Sequence, residues 1–486
     1  MPFIFTDRRG KSEPAKRLLI RRHVMLGKNR GKTRKPPTAH RVDFSLNPEL
    51  PPVHNRNRLA GPPPDLTIDV RYPHIPDRVG WEMSLTRFAI SVEQPLLRDL
   101  LQFCLAAKRI MYPLQQCIRF HNEEDKADST WLKLLTTDDA YMHATVFASQ
   151  AYVVSTSRDG ERSSMAARQA VMHHTAALRL LRQRLAACAN NAATISDATI
   201  LVVLCLTLHA QFAADAATAT LHMQGLYKIV HLRGGLAAFR HNTKLIIELL
   251  KCDLGIALNN KTRPLFRGDP IVSALASASL RTTQAAATTP PDAAPAATDC
   301  ALPSLQGVHA DLRRIWTTLH RFCATVNTAV QRKRQLPKDV LLDAMASTMY
   351  PLLDLNGAFA AQSVDEAICL GLLVFSAHIF LSWQGLRPAH THFPGMYRAC
   401  LVHTKLPDTF SPLILVWLLL FGSLTLFSPA DNAWLMPWLR LNIGLCRSGT
   451  WRGLCGQLET LPWIGMLHDK PGKVVYDTAV QWPQVV

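Results

Sequence analysis

The stretch SDATILVVLCLTLHAQFAADAATATLHMQGLYKIVHLRGGLAAF, from Ser196 to Phe239, decides the fold. Ser196 is a residue type that caps a helix start, and Asp197 in the first turn faces the positive end of the helix dipole. From Ile200 to Phe212 almost every residue is apolar, so this helix must be covered on most sides. After a short polar break, Ala219, Met223, Leu226, Ile229 and Val230 recur at three- and four-residue spacing, which predicts a second helix with one apolar face. Arg233 then sits at the negative dipole end. Gly234 is suited to the left-handed position after the helix, and Gly235 gives room for a sharp turn into Leu236.

Working outward, the pattern stays helical. Ser163 to Cys188 reads as an amphipathic helix with Ala167, Val171, His174, Leu178, Leu181 and Leu185 inward, and Arg168, Arg179, Arg182 and Arg184 mostly outward. A further helix is expected from Leu236 to Asn259. Helices should begin near Ser91, resume near Leu305 and continue to about Leu461. Strand-type alternation is scarce outside Val474–Tyr476. The expectation is an all-α protein, a large helical regulatory domain over residues 89–480. Thr282 to Asp299 (TTQAAATTPPDAAPAATD) is expected to be a disordered insertion, at about 282–300.

Charge separates the N-terminal part from the body. Residues 1–41 hold 13 Lys and Arg against 2 Asp and Glu, a net of +11 out of the chain's +18. This basic arm is expected to be disordered, and the Pro-rich segment over 42–88 reads as an extended linker. Within the arm, Lys16, Arg17, Arg21, Arg22, Lys28, Arg30, Lys32, Arg34 and Lys35 are the candidates for nuclear localisation or nucleic-acid contact. The apolar residues among them spread round a helical wheel, which argues against a membrane-surface helix. A solvated tail without a partner is the plainer alternative.

Other chemistry finds little support. Eleven cysteines are scattered with no Cys-x-x-Cys pair, which argues against a structural zinc module and fits free thiols in a reducing compartment. Adjacent His173 and His174 point about 100° apart on a helix and so share an ion poorly, and His222 has no partner at matching spacing. Gly225 is expected to let a neighbouring helix approach. There is no nucleophile elbow, phosphate-binding loop, dinucleotide-binding glycine triad or His-Glu-x-x-His pair. Ala367–Leu386 and Thr409–Ala430 are uncharged over about the length that spans a bilayer. His378, Gln384 and Pro412 within them favour buried core helices instead.

The order of features resembles the fungal-specific transcription factor domain, which often follows a binuclear zinc cluster. The matching residues are Ser196-Asp197-Ala198-Thr199-Ile200, the acidic Asp215, His222-Met223-x-Gly225-Leu226, and Lys228-x-Val230-x-Leu232-Arg233-Gly234-Gly235-Leu236. Lys251-Cys252-Asp253-Leu254-Gly255, Arg263-Pro264-Leu265-Phe266 and the apolar run Pro412–Phe427 look like further family blocks. One departure is Ala214, where the family pattern has Gly. The resemblance spans roughly residues 90–480 and implies a nuclear regulator of metabolic genes, such as those of a biosynthetic gene cluster. It implies no catalytic residues, metal or cofactor, and the zinc cluster itself is missing. Implied partners are a nuclear import receptor, DNA contacted nonspecifically or through a partner, and a second protein or a homodimer, with no membrane. A partner-dependent co-regulator and a helical enzyme stay open as other readings.

Overall fold

The structure is a computed structural model that describes residues 87–119, 130–188, 195–276, 305, 307–381, 392–404 and 410–483. The basic arm, nearly all of the linker and the 282–300 insertion lie outside the described residues. The described residues are all-α apart from one parallel pair of two-residue strands, β1 (Ile118–Arg119) and β2 (Leu336–Pro337). Two residues are too few to leave a period in the sequence.

The first helices are α1 (Gln94–Met111), α2 (Thr130–Thr137), α3 (Asp139–Thr156) and α4 (Gly160–Ala187). Helices α3 and α4 form an antiparallel hairpin tied at its open end, where Arg184 reaches Asp138 at 2.9 Å and Asp139 at 2.5 Å. Arg184 is therefore not an outward residue. The buried face of α4 is Ala166, Ala170, His173, Ala177 and Leu181, about one residue round from the expected face. Val171 is 68% exposed. Alanines leave room for close packing against α3, so the seam follows the small residues rather than the large apolar ones.

Next come α5 (Asp197–Phe212) and α6 (Ala216–Leu232), the pair read from the sequence. The Ser196 hydroxyl accepts from Thr199 N, and the buried face of α6 is Ala219, Met223, Leu226, Ile229 and Val230. The connection is a tight left-handed cap. Ala214 has φ +57°, its N–H donates to Gln211 O, and Asp215 N–H donates to Ala210 O. A left-handed φ is a conformation in which Gly is at ease and Ala is strained.

The single helix expected from Leu236 to Asn259 is two elements. A 3₁₀ turn at Leu236–Phe239 is followed by α7 (Thr243–Asn260), whose own cap, Asn242, accepts from Leu245 N. The polar run Arg240–Lys244 interrupts the apolar pattern and supplies the new cap at Asn242. Fourteen of the 18 residues of α7 are buried, so it runs through the core.

The second half comprises α8 (Ala310–Gln331), α9 (Lys338–Leu355), α10 (Val364–Ser376) continued by a π-helical turn at Ala377–Leu381, and α11 (Phe393–His403). It ends with α12 (Pro412–Thr425), α13 (Asn432–Leu445), α14 (Trp451–Leu458) and α15 (Gly465–Gln481). Helix α15 carries helical structure past Leu461 and contains Val474–Tyr476, so the suspected strand there is helical. Val364–Leu381 is long and apolar enough to cross a membrane, but 72% of it is buried inside the protein. Pro412 occupies the first turn of α12, where its missing N–H is harmless, and Ile414 through Gly422 are all buried. Each large side chain buried here contributes roughly 1.5–3 kcal/mol. Among the described residues, one main core joins the elements from Leu114 to Ala479, with a small satellite of Leu100, Leu135, Met142 and Val146.

Candidate functional site

The residues singled out in the Ser196–Leu236 stretch divide into two groups. Ser196, Asp197, Arg233, Gly234 and Gly235 meet at one end of the α5–α6 hairpin. Asp197 accepts from Arg233 at 2.8 Å and from the Asn242 amide at 3.2 Å. Burial pushes the Asp197 carboxyl up, yet Arg233 and Asn242 outweigh that and hold it below the usual carboxylate range. The Arg233 guanidinium also lies 4.3 Å over the Phe239 ring. Gly234 N–H donates to His231 O and Gly235 N–H to Val230 O, the two bonds of a Schellman cap. Gly235 then takes φ 74° and ψ −168°, a conformation essentially reserved for glycine. Leu236 N–H donates to Asp269 at 3.0 Å. This end is a lock between helix start and helix end.

His222 and Gly225 lie elsewhere on α6. A methyl group at Gly225 would meet nothing within 4 Å, so the expected close helix approach there does not occur. The close crossing is at Gly371, where a methyl would collide with Leu418 and press on Trp417.

A second lock joins the Lys251–Gly255 and Arg263–Phe266 blocks. Asp253, 2% exposed, accepts from Leu265 N at 2.7 Å, Phe266 N at 3.0 Å and the Tyr350 hydroxyl at 3.2 Å. Burial raises its carboxyl to about 6 against these bonds. Beside it lies a cavity of about 110 Å³ bounded by Met223, Asp253, Ile256, Thr262 and Arg263. That volume suits water rather than an organic ligand, whose sites span roughly 300–1,000 Å³. On the same helix, Glu248 accepts from the Tyr112 hydroxyl and Lys251 donates to Met111 O at 2.8 Å. These charged side chains pin the end of α1 to α7. The sequence signal for them was charge inside an apolar helix, which requires buried partners.

Among the described residues, one concentration of titratable groups that sequence spacing could not show is a histidine cluster on α3, α4, α5 and α6. His143 Nδ1 and His173 Nδ1 are 2.9 Å apart. His174 stacks on Phe147 with centroids 4.4 Å apart, and His209 meets the same ring edge-on at 4.2 Å. His222 is electrostatically coupled to His174. Burial lowers all five, His173 and His209 to about 4, with the neighbouring His143 and His174 respectively adding to it. Burial therefore favours the neutral form of all five rings.

A smaller group, Cys455, Glu459 and Asp469, places its ligand-type atoms within 4.8 Å of one another. Asp469 already accepts from Trp463 Nε1 at 2.8 Å and from Cys455 Sγ at 3.4 Å. Burial, with Asp469 next, pushes the Cys455 thiol up to about 12, so it is a protonated donor. All cysteines among the described residues are free.

The nine basic candidates from Lys16 to Lys35 lie outside the described residues. Compared with protein-family models, curated proteins and solved structures, the chain matches none. The functional reading therefore rests on its own residues.

Proposed function

We propose that the chain is a nuclear transcriptional regulator of metabolic genes, built as a helical regulatory body behind a basic arm and lacking a zinc-cluster DNA-binding module. The observation that carries the reading is the placement of charge: +11 of the net +18 falls in the first 41 residues. Such an arm suits an import receptor and the phosphates of DNA. Support for the body comes from the residues that carry the family resemblance. Ser196, Asp197, Arg233, Gly234 and Gly235 form one lock, and Asp253 joins Leu265 and Phe266 in another. Each has a packing role, which is what a regulatory scaffold would ask of them.

The mechanism follows from this division. The arm delivers the chain to the nucleus and adds sequence-independent attraction to DNA, while the body binds a partner or a second copy that supplies specificity. Specific readout needs a rigid element presenting side chains to base edges, and a basic arm of this composition offers phosphate neutralisation instead. Deleting residues 1–41 from a fluorescent fusion should shift it out of the nucleus. Unchanged nuclear accumulation would remove the arm from the proposal. Purified full chain should bind promoter and random DNA alike, at about 10⁻⁴–10⁻⁶ M and weakening steeply with salt. Nanomolar binding to a single site in physiological salt without a partner would refute this.

A further inference from the structure

We propose that His143 and His173 form a transition-metal site, a two-imidazole chelate between α3 and α4 for an ion of the zinc and copper class. The two rings come from different helices and turn the same nitrogen toward each other, with Nδ1 atoms 2.9 Å apart. On a tetrahedral ion with bonds of about 2.0–2.1 Å, two nitrogen ligands stand roughly 3.4 Å apart, so opening by about half an ångström admits the metal. Burial keeps both rings neutral, which is the metal-binding form. In the metal-free pair, one Nδ1–H donates to the other Nδ1. On binding, that proton moves to Nε2 of its own ring, both Nδ1 lone pairs face the ion, and no proton is released.

A second observation points to the same place. Gln169 lies four residues before His173, one turn away on the same face of α4, and its Oε1 is buried without a hydrogen-bond partner. An amide oxygen there completes a His₂-oxygen set, with water filling the remaining position. His143 is only half-buried, which leaves a route for the ion. Asp139, one turn before His143, adds negative potential, Arg179 opposes it, and Arg184 engages Asp139. The Cys455 group is the weaker candidate because its carboxylate is already committed to Trp463 and its thiol is protonated. This site goes beyond the regulatory reading and stands or falls without it.

The test titrates chelator-stripped full chain with Zn²⁺ by calorimetry and with Cu²⁺ by electron paramagnetic resonance. One equivalent should bind, and the copper spectrum should show two nitrogen donors. His143→Ala and His173→Ala should each weaken Zn²⁺ binding by tenfold or more, and Gln169→Ala by less, while His222→Ala should leave it unchanged. Circular dichroism in chelator confirms that each variant is folded, and the copper spectrum of the wild type decides the matter if one is not. The proposal is overturned if no saturable site is found, if the spectrum shows sulfur ligation, or if binding survives both histidine variants and disappears in Cys455→Ser.

Discussion

Single substitutions at four positions at the ends and middle of α6 have opposite expected signs, and their order tests the caps residue by residue. Gly235 has the most demanding backbone, with φ 74° and ψ −168°, and a methyl there would come 3.0 Å from Asp269 Oδ2. That oxygen is the acceptor for Leu236 N–H, so moving it weakens the turn. Backbone strain of about 1–3 kcal/mol plus the strained or lost hydrogen bond, about 1 kcal/mol, gives roughly 2–4 kcal/mol for Gly235→Ala. Gly234 has φ 103° but open space, its nearest would-be contact being Ala238 at 3.9 Å. Gly234→Ala should therefore lose only the conformational share, about 1–2 kcal/mol, and Gly234→Val somewhat more. Gly225, inside the helix and facing open space, should gain about 0.5–1 kcal/mol on becoming Ala. Ala214, held at φ +57°, should gain about 1 kcal/mol on becoming Gly. Urea midpoints at a common slope measure all four. A stabilising Gly235→Ala, or a destabilising Ala214→Gly, would mean that these caps do not have the geometry described.

The remaining predictions concern buried charge. Asp253→Ala leaves Leu265 N, Phe266 N and the Tyr350 hydroxyl without their acceptor. At about 1–3 kcal/mol for each orphaned group, a loss of at least 3 kcal/mol is expected in urea unfolding, and a loss below 1 kcal/mol would remove the second lock. His173 is lowered from its ordinary 6.5 to about 4, so its stabilising contribution is complete above pH 6.5 and is lost as pH falls from 6.5 toward 4. The window's full extent is about 3 kcal/mol at most, because the unfolded chain takes up a proton that the folded chain refuses. His173→Gln should flatten the fall in stability between pH 6.5 and 4, and an unchanged slope would show that His173 is not held neutral.

Much of this was legible because helix ends and amphipathic faces are written locally. The Ser196 cap, the five-residue buried face of α6 and the left-handed Gly234 all depend on residues within a few positions of one another. The left-handed backbone at Ala214 was not legible in the sequence, because Ala gives no local signal for a positive φ. Errors arose where tertiary packing overrode local pattern. On α4 the alanines set the seam, and Val171 turned to solvent. At Asn242 a cap within the polar run Arg240–Lys244 split the single expected helix. At Gly225 a glycine inside a helix suggested a close approach, but the position faces open space. The histidine cluster was invisible for a different reason. His143 and His173 are 30 residues apart, and no spacing rule connects positions joined only by the folding of a helical hairpin.

The way the interior satisfies its charges bears on where function can reside. Asp197, Glu248, Lys251 and Asp253 stand out in the sequence as charges within or beside apolar helices, the kind of residue that suggests catalysis. Each is committed to an internal partner: Arg233, Tyr112, the Met111 carbonyl and the Leu265–Phe266 turn respectively. Groups so engaged would have to break a structural contact before touching a substrate, at about 1–3 kcal/mol for each bond opened. The histidine pair differs, because two neutral rings would give up only their mutual hydrogen bond to a metal ion, the proton moving to Nε2 of its own ring. One helical turn before His173, the unpartnered Gln169 oxygen would gain a bond that it otherwise lacks. Within the described body, chemistry is therefore most readily sought at the α3–α4 seam, while attraction to nucleic acid is sought in the basic arm.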